Sequence, residues 1–339
     1  MYLGYYKLKS NPFRLNPDPA FVCMTMQHRE ALAGLVYSAC TRPGLTVLLG
    51  EAGTGKTTLL YSLLDLLQRR RFVTALCTNP TLSRAEFYDF LMMQFGIDCG
   101  SSLKSRQLAA MEATLHRNRT DGRPSVLIVD EAQRLPFDLL EEIRLLLNME
   151  TPQYKLLDVV MSGQPELNET LHRPEMRQLK QRVSCVCKLR PLSVEEVKEY
   201  ISHRLTLAGL GEQGLFSDVV MRRVFEYTEG IPRLVNILCD SALQTGFATQ
   251  SEQITTGIVD EAARDLEMGS KPFDDNVTQG VGTSVAGLMS KPIHTDSVLR
   301  RNGGAPAANG NGTEHVSADE YSVRQRSISF FANLMDRTR

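Results

Sequence analysis

No charge of either sign dominates this sequence: 38 lysines and arginines stand against 39 aspartates and glutamates, a formal net charge of -1. That balance gives no general reason to expect a polyanionic partner and leaves room only for a local basic patch. No C-x-x-C pair occurs among the seven cysteines. An odd, dispersed set of thiols reads as reduced cysteines of a reducing compartment, not as a disulfide framework or a zinc site. Only Cys185 and Cys187 are close, at a spacing that puts both on one face of a strand. No apolar run reaches the ~18 residues of a membrane span. The opening "MYLGYYKLKS" also lacks the long apolar core of a signal peptide. These absences lead to the expectation of a soluble, cytoplasmic protein with no membrane span.

What is present is a chain of 339 residues, 42% hydrophobic, ample for a packed core and long enough for about two domains. Residues 1–190 alternate apolar runs with amphipathic ones. Candidate strands are Leu45–Leu49, Phe72–Cys77, Ser125–Val129, Leu156–Ser162 and Val183–Leu189. Between them lie helical patterns such as "KTTLLYSLLDLLQRR", "SRAEFYDFLMMQFG" and "PFDLLEEIRLLLNME". Strands alternating with helices predict an α/β fold around a mostly parallel sheet. Residues 191–268 read as helices alone, a small helical domain. Residues 269–339 lose periodicity, and "RRNGGAPAANGNGTE" has linker composition. This tail is expected to be largely disordered, with "SVRQRSISFFANLMDRTR" as a candidate short C-terminal helix.

The stretch "LLGEAGTGKTTLL" fits the Walker A phosphate loop, G-x-x-x-x-G-K-[ST], with Gly50, Gly55, Lys56 and Thr57 at the fixed positions. It follows a predicted strand and precedes a predicted helix, the setting the motif requires. Residues Gly50, Glu51, Ala52, Gly53, Thr54, Gly55, Lys56, Thr57 and Thr58 would wrap the phosphates of ATP with backbone N–H groups. Lys56 would bridge the β- and γ-phosphates, and the Thr57 hydroxyl would ligate Mg²⁺.

Downstream, "SVLIVDEAQRL" runs four apolar residues, Val126 to Val129, into adjacent carboxylates. Acids beside a core strand need compensation. A magnesium ion would compensate Asp130, the Walker B acid, and Glu131 would polarise the water that attacks the γ-phosphate. Without a nucleotide site, Asp130 would be a helix cap and Glu131 a loop acid.

The phosphate loop, "IVDEAQ", "SGQPEL" and "GIPRLVNILCD", in that order, resemble the AAA+ ATPases of the ExeA/GspA type, which include ATPases encoded beside exopolysaccharide and secretion loci. The opening "MYLGYYKLKSNPFRLNPDPAFVCMTMQHREAL" resembles that group's N-terminal signature, so the likeness covers residues 1 to about 265. It implies a P-loop NTPase αβα sandwich with a five-stranded parallel sheet, followed by a helical lid. It also implies Mg-dependent ATP hydrolysis, a homo-oligomer formed with ATP, and a protein partner in a secretion or polysaccharide-export machine. By the same resemblance, Gln164 would orient water next to Glu131. Arg233, a cation in the first turn of a helix where the dipole disfavours it, would meet the γ-phosphate. Arg182, with Arg177 as second choice, would reach the neighbouring subunit's site; a solvated basic helix face is the competing reading. His28 would lie near the adenine or on the surface of a helix's first turn.

Full-length members of that group carry a membrane helix and a peptidoglycan-binding domain after the ATPase, where this sequence has the polar tail. A direct role in threading a secretin through peptidoglycan is therefore not expected. The alternative is a DNA-associated ATPase resembling transposition helper or origin-recognition-like proteins. Arg69, Arg70 and Arg71 and the basic residues of 173–182 would then contact phosphates, although neutral net charge and the lack of a helix-turn-helix disfavour nucleic acid. A scaffold that binds nucleotide without turnover is opposed by Glu131, since a binder needs no water-polarising acid.

Overall fold

Five short runs rich in valine and leucine form one sheet: β1 (Leu45–Gly50), β2 (Val73–Cys77), β3 (Ser125–Val129), β4 (Leu157–Gly163) and β5 (Val183–Leu189). Every neighbouring pair is parallel, in the order β2-β3-β4-β1-β5. The inner strands β1, β3 and β4 are buried at every position, whereas the edge strands β2 and β5 are partly exposed. Burial on both faces is why the inner strands read as unbroken apolar runs. The computed structural model describes residues 1–15, 23–41, 44–210 and 214–269. The expected tail and its short helix lie outside the described residues.

The helices are α1 (Tyr2–Tyr5), α2 (Met26–Thr41), α3 (Lys56–Arg69), α4 (Arg84–Gln94), α5 (Lys104–Thr120), α6 (Phe137–Leu146), α7 (Pro165–His172), α8 (Arg177–Lys180), α9 (Val194–Leu207), α10 (Asp218–Thr228), α11 (Pro232–Ala248) and α12 (Thr256–Asp265). Alternation along each strand builds two cores. Leu127 and Val129 face α4–α8, while Val126 and Ile128 face α2 and α3. This is the αβα sandwich with a five-stranded parallel sheet. A third core joins α9, α10, α11 and α12. Ser83 and Ser193 start α4 and α9 with capping boxes closed by Glu86 and Glu196, and Pro232 starts α11.

The first 13 residues depart from the expected division at residue 190. Tyr6, Leu8 and Phe13 are buried in the core of the helical half, not in the sandwich. Tyr2 Oη donates to Asp240 Oδ1 at 2.6 Å, Asn11 Nδ2 to the same oxygen at 3.0 Å, and Tyr6 Oη to the Ser251 carbonyl at 3.1 Å. The reason is area: α9–α12 are short, and the aromatic rings supply apolar surface that four helices alone do not enclose. The chain then returns to the sandwich at α2.

Candidate functional site

All five strands run the same way, so their C-terminal ends share one edge of the sheet. From that edge the chain turns out of β1 through residues 51–55 into α3. Gly53 and Gly55 have φ of +83° and +95°, where glycine alone is unstrained. A Cβ on Gly53 would come within 2.8 Å of Arg233 Cβ, so glycine also lets the start of α11 lie on the loop. The Arg233 N–H donates to the Gly53 carbonyl at 3.2 Å.

Lys56, the first residue of α3, is only 5% exposed. Its Nζ donates to the Gly50 carbonyl at 2.8 Å and the Glu51 carbonyl at 2.9 Å, and so sits inside the loop. Burial lowers its pKa, and the nearby Glu131, Asp130, Glu51 and Glu166 oppose that shift. Thr57 Oγ1 donates to Asp130 Oδ2 at 2.6 Å across the gap between α3 and β3. Asp130 is 3% exposed, and its Oδ1 accepts the Glu131 N–H at 2.9 Å. Glu131 itself has φ 52° and ψ 35°, a left-handed conformation that is strained for a residue with a side chain. Such strain persists only where the surroundings impose it. Here the Glu131 N–H bonds Asp130 Oδ1, its carbonyl accepts the Arg134 N–H at 2.9 Å, and Gln133 Nε2 donates to its Oε2 at 2.7 Å.

The residues fit a magnesium ion. The Thr57 hydroxyl and Asp130 carboxylate are hard oxygen donors already in contact. Among the described residues no cluster of three or more His, Cys, Asp or Glu could hold a metal. An ion here would therefore take its other ligands from phosphate and water, as magnesium does.

His28 is buried, not on the surface of its helix. Its ring bonds Thr25 Oγ1 at 2.8 Å through Nδ1 and meets the Thr54 carbonyl at 3.1 Å through Nε2. Burial lowers its pKa, so the neutral ring braces the phosphate loop, accepting from Thr25 and donating to Thr54. Beside it opens a cavity of about 550 Å³, a volume suited to a nucleotide. Loop residues Gly53, Lys56 and Thr57 line it together with Glu131 and Arg233. Tyr200, Arg204 and Asn236 close it from the helical half, joined as Arg204 Nη1 to Tyr200 Oη at 2.8 Å and Tyr200 Oη to Asn236 Oδ1 at 3.0 Å.

The structure thus gathers the loop, Asp130, Glu131, Arg233 and His28. Gln164 enters differently: it precedes α7, and its backbone N–H donates to Gln133 Oε1 at 3.2 Å. Arg177 is exposed on α8. Arg182 lies just before β5, its carbonyl accepting the Leu45 N–H at 3.1 Å and its Nη1 donating to the Leu147 carbonyl at 3.4 Å. Leu45 opens β1 and the loop follows its other end, so ~16 Å of strand separates Arg182 from its own phosphate loop. Sequence reasoning did not single out Gln133, Tyr200, Arg204 or Asn236. Gln133 had a signal, its place two residues after Glu131 in "DEAQ"; the three lid residues had none, because folding alone brings them to the loop.

A model of the AAA domain matches residues 40–171. General secretion pathway protein A of Aeromonas hydrophila is 38% identical over 270 residues, covering 78% of this chain and 48% of that protein. The chain thus spans about half the length of this relative. Among solved structures, Cdc6p from Pyrobaculum aerophilum superposes with a TM-score of 0.57 at 16% identity, covering 77% of this chain and 72% of that one. The ORC2 protein of Aeropyrum pernix gives 0.55 at 15%, covering 78% and 73%. The RuvB branch migration motor of Thermotoga maritima gives 0.51 at 17%, covering 75% and 73%. At such identities these three show the fold alone. No helix among the described residues is long and apolar enough to cross a membrane. Identity of 38% over 78% of the chain, joined to the AAA domain matched at residues 40–171, supports an AAA ATPase of the ExeA/GspA type that General secretion pathway protein A represents.

Proposed function

We propose that the protein binds ATP with magnesium between its two halves and hydrolyses it as a homo-oligomer. The cycle would remodel or switch a protein partner in a secretion or polysaccharide-export machine, and the name of the 38% identical relative supports the first of these. The carrying observation is the contact between Thr57 and Asp130 at 2.6 Å, with Glu131 and Lys56 lining the same cavity. Cation, hydroxyl and two acids converge where a γ-phosphate would lie against the loop.

Lys56 would take up the charge of the β- and γ-phosphates in place of the loop carbonyls it now meets. A magnesium ion held by Thr57, and by Asp130 through water, would neutralise the phosphate oxygens. Gln133 holds Glu131 by Oε2, and Oε1, which has no hydrogen bond among the described residues, would accept a proton from water as that water attacks phosphorus. Arg233 covers the loop from the helical half and meets the γ-phosphate. Gln164, just after β4 and tied by its N–H to Gln133, would orient the attacking water. Arg182 acts on a neighbouring subunit's nucleotide.

Glu131→Gln keeps size and polarity and removes the basic oxygen. It should bind ATP at wild-type affinity and hydrolyse it roughly 10²–10⁴-fold more slowly in a steady-state phosphate-release assay. Turnover equal to wild type would refute the assignment.

A further inference from the structure

The other edge of the sheet, where the strands begin, carries a row of cations. The order β2-β3-β4-β1-β5 sets the residues preceding each strand side by side. Arg71 lies two residues before β2 and Arg123 two before β3. The pairing of Val73 with Ser125, and the Val73 N–H bond to the Pro124 carbonyl at 2.9 Å, hold these two arginines next to each other. Lys155 lies two residues before β4 and Arg182 one before β5. At ~4.8 Å per strand the row is ~19 Å long. Arg70 flanks it beside Cys40 on one side of the sheet, and Arg119 flanks it on the other, over the Tyr154 ring at 5.4 Å.

Neutralising acids are few. Asp65 pairs with Arg69 at 2.9 Å, Glu150 pairs with Lys155, and Asp158 is buried with its Oδ1 on the Gly44 N–H. Asp121 is exposed in the turn before Arg123. Arg71 and Arg123 are exposed and, among the described residues, in no ion pair. The near-zero net charge therefore conceals a local row of cations at this edge, whereas at the other edge Glu51, Asp130, Glu131 and Glu166 are interleaved with Lys56 and Arg233.

We propose that this edge is a docking surface for the phosphate backbone of duplex nucleic acid. Guanidinium groups predominate, and their planar forks match phosphate oxygens. The turns at 69–72 and 119–124 expose no large apolar side chain, which an anionic membrane or a protein interface would use as anchor. They also expose no aromatic ring for stacking single-stranded bases, since Tyr154 is half-buried under Arg119. A row of ~19 Å matches about five to six base-pair steps of one strand, so the contact reads backbone charge and not sequence. The inference stands apart from the ATPase reading, whose residues occupy the opposite edge except for Arg182.

The test is fluorescence anisotropy of a labelled duplex of about 30 base pairs, titrated with the full chain between about 50 and 200 mM salt. The expected result is binding whose log affinity falls with log salt at a slope of about −3, from three to four contacts. Arg71→Gly with Arg123→Gln should weaken binding about tenfold or more and make the slope shallower by about 2. The glycine also relieves the backbone of Arg71, whose φ is +65°, so this variant removes charge without adding strain. ATP hydrolysis without nucleic acid should be unchanged in it, which separates this surface from the nucleotide site. Should the double variant fail to fold, Arg123→Gln alone should lower the slope by about 1. Absent binding, binding equal in the variants, or preference for phosphatidylserine vesicles or polyglutamate over the duplex would each overturn the proposal.

Discussion

Gln133 holds Glu131 by one carboxylate oxygen: Nε2 donates to Oε2 at 2.7 Å, while the amide's own Oε1 accepts the Gln164 N–H at 3.2 Å. One side chain therefore ties the acid after β3 to the end of β4. We expect Gln133→Leu, similar in size and unable to make either bond, to lower kcat by about 10- to 100-fold. ATP affinity by isothermal titration and the melting temperature should stay at wild-type values. A general structural defect would move all three together, and an unchanged kcat would show that Glu131 needs no such support.

Because ~16 Å of strand separates Arg182 from its own phosphate loop, its proposed role requires a second subunit. Arg182→Ala should bind ATP normally and hydrolyse it roughly 10³-fold more slowly. Lys56→Ala should lose ATP affinity while remaining folded. Mixing the two should restore part of the activity, since each supplies what the other lacks at a shared interface. Activity per wild-type subunit should also rise with protein concentration. An inactive mixture together with concentration-independent turnover would remove Arg182 from the mechanism.

Asp158 is buried in β4, and desolvation pushes its pKa up to about 7 despite the Gly44 N–H and nearby Arg119. An acid raised on folding binds its proton more tightly folded than unfolded. Stability should therefore fall as pH rises from about 4, the unfolded pKa, to about 7, and level off above that. Asp158→Asn keeps an oxygen for the Gly44 N–H and carries no charge. Urea unfolding should show it more stable than wild type by about 1–3 kcal/mol at pH 8, with little difference near pH 4. Equal stability at pH 8 would mean that the carboxylate is adequately solvated or compensated.

The strands, the phosphate loop and the acid pair were legible because each is a local pattern: an apolar run, a glycine spacing, two carboxylates at a strand end. Their positions in the fold agree with the sequence reading to within a residue. Helix α5 is far less visible, since Gln107, Met111 and Leu115 are its only buried residues in a long polar stretch. Tyr200, Arg204 and Asn236 could not be assigned to the cavity, because their relation to residues 50–57 exists only after the helical half has packed. The surface reading of His28 fails for a similar reason, since the residue is buried beside the cavity. Nothing in "TMQHREAL" shows that the loop's Thr54 will close over its ring. Arg71 and Arg123 lie 52 positions apart in the sequence and become neighbours only through strand pairing.

The docking of residues 1–13 on the helical half also dictates an order of events during synthesis. Tyr2 and Tyr6 emerge long before their hydrogen-bond partners Asp240 and Ser251, which lie 238 and 245 residues later. At about 5–20 residues per second, that interval is on the order of ten to fifty seconds on the ribosome. The sheet and its flanking helices are complete well before then, so the sandwich can fold while Tyr2 and Tyr6 wait unburied. Until then those rings are apolar surface with no core of their own to enter, a place where a chaperone could hold the nascent chain.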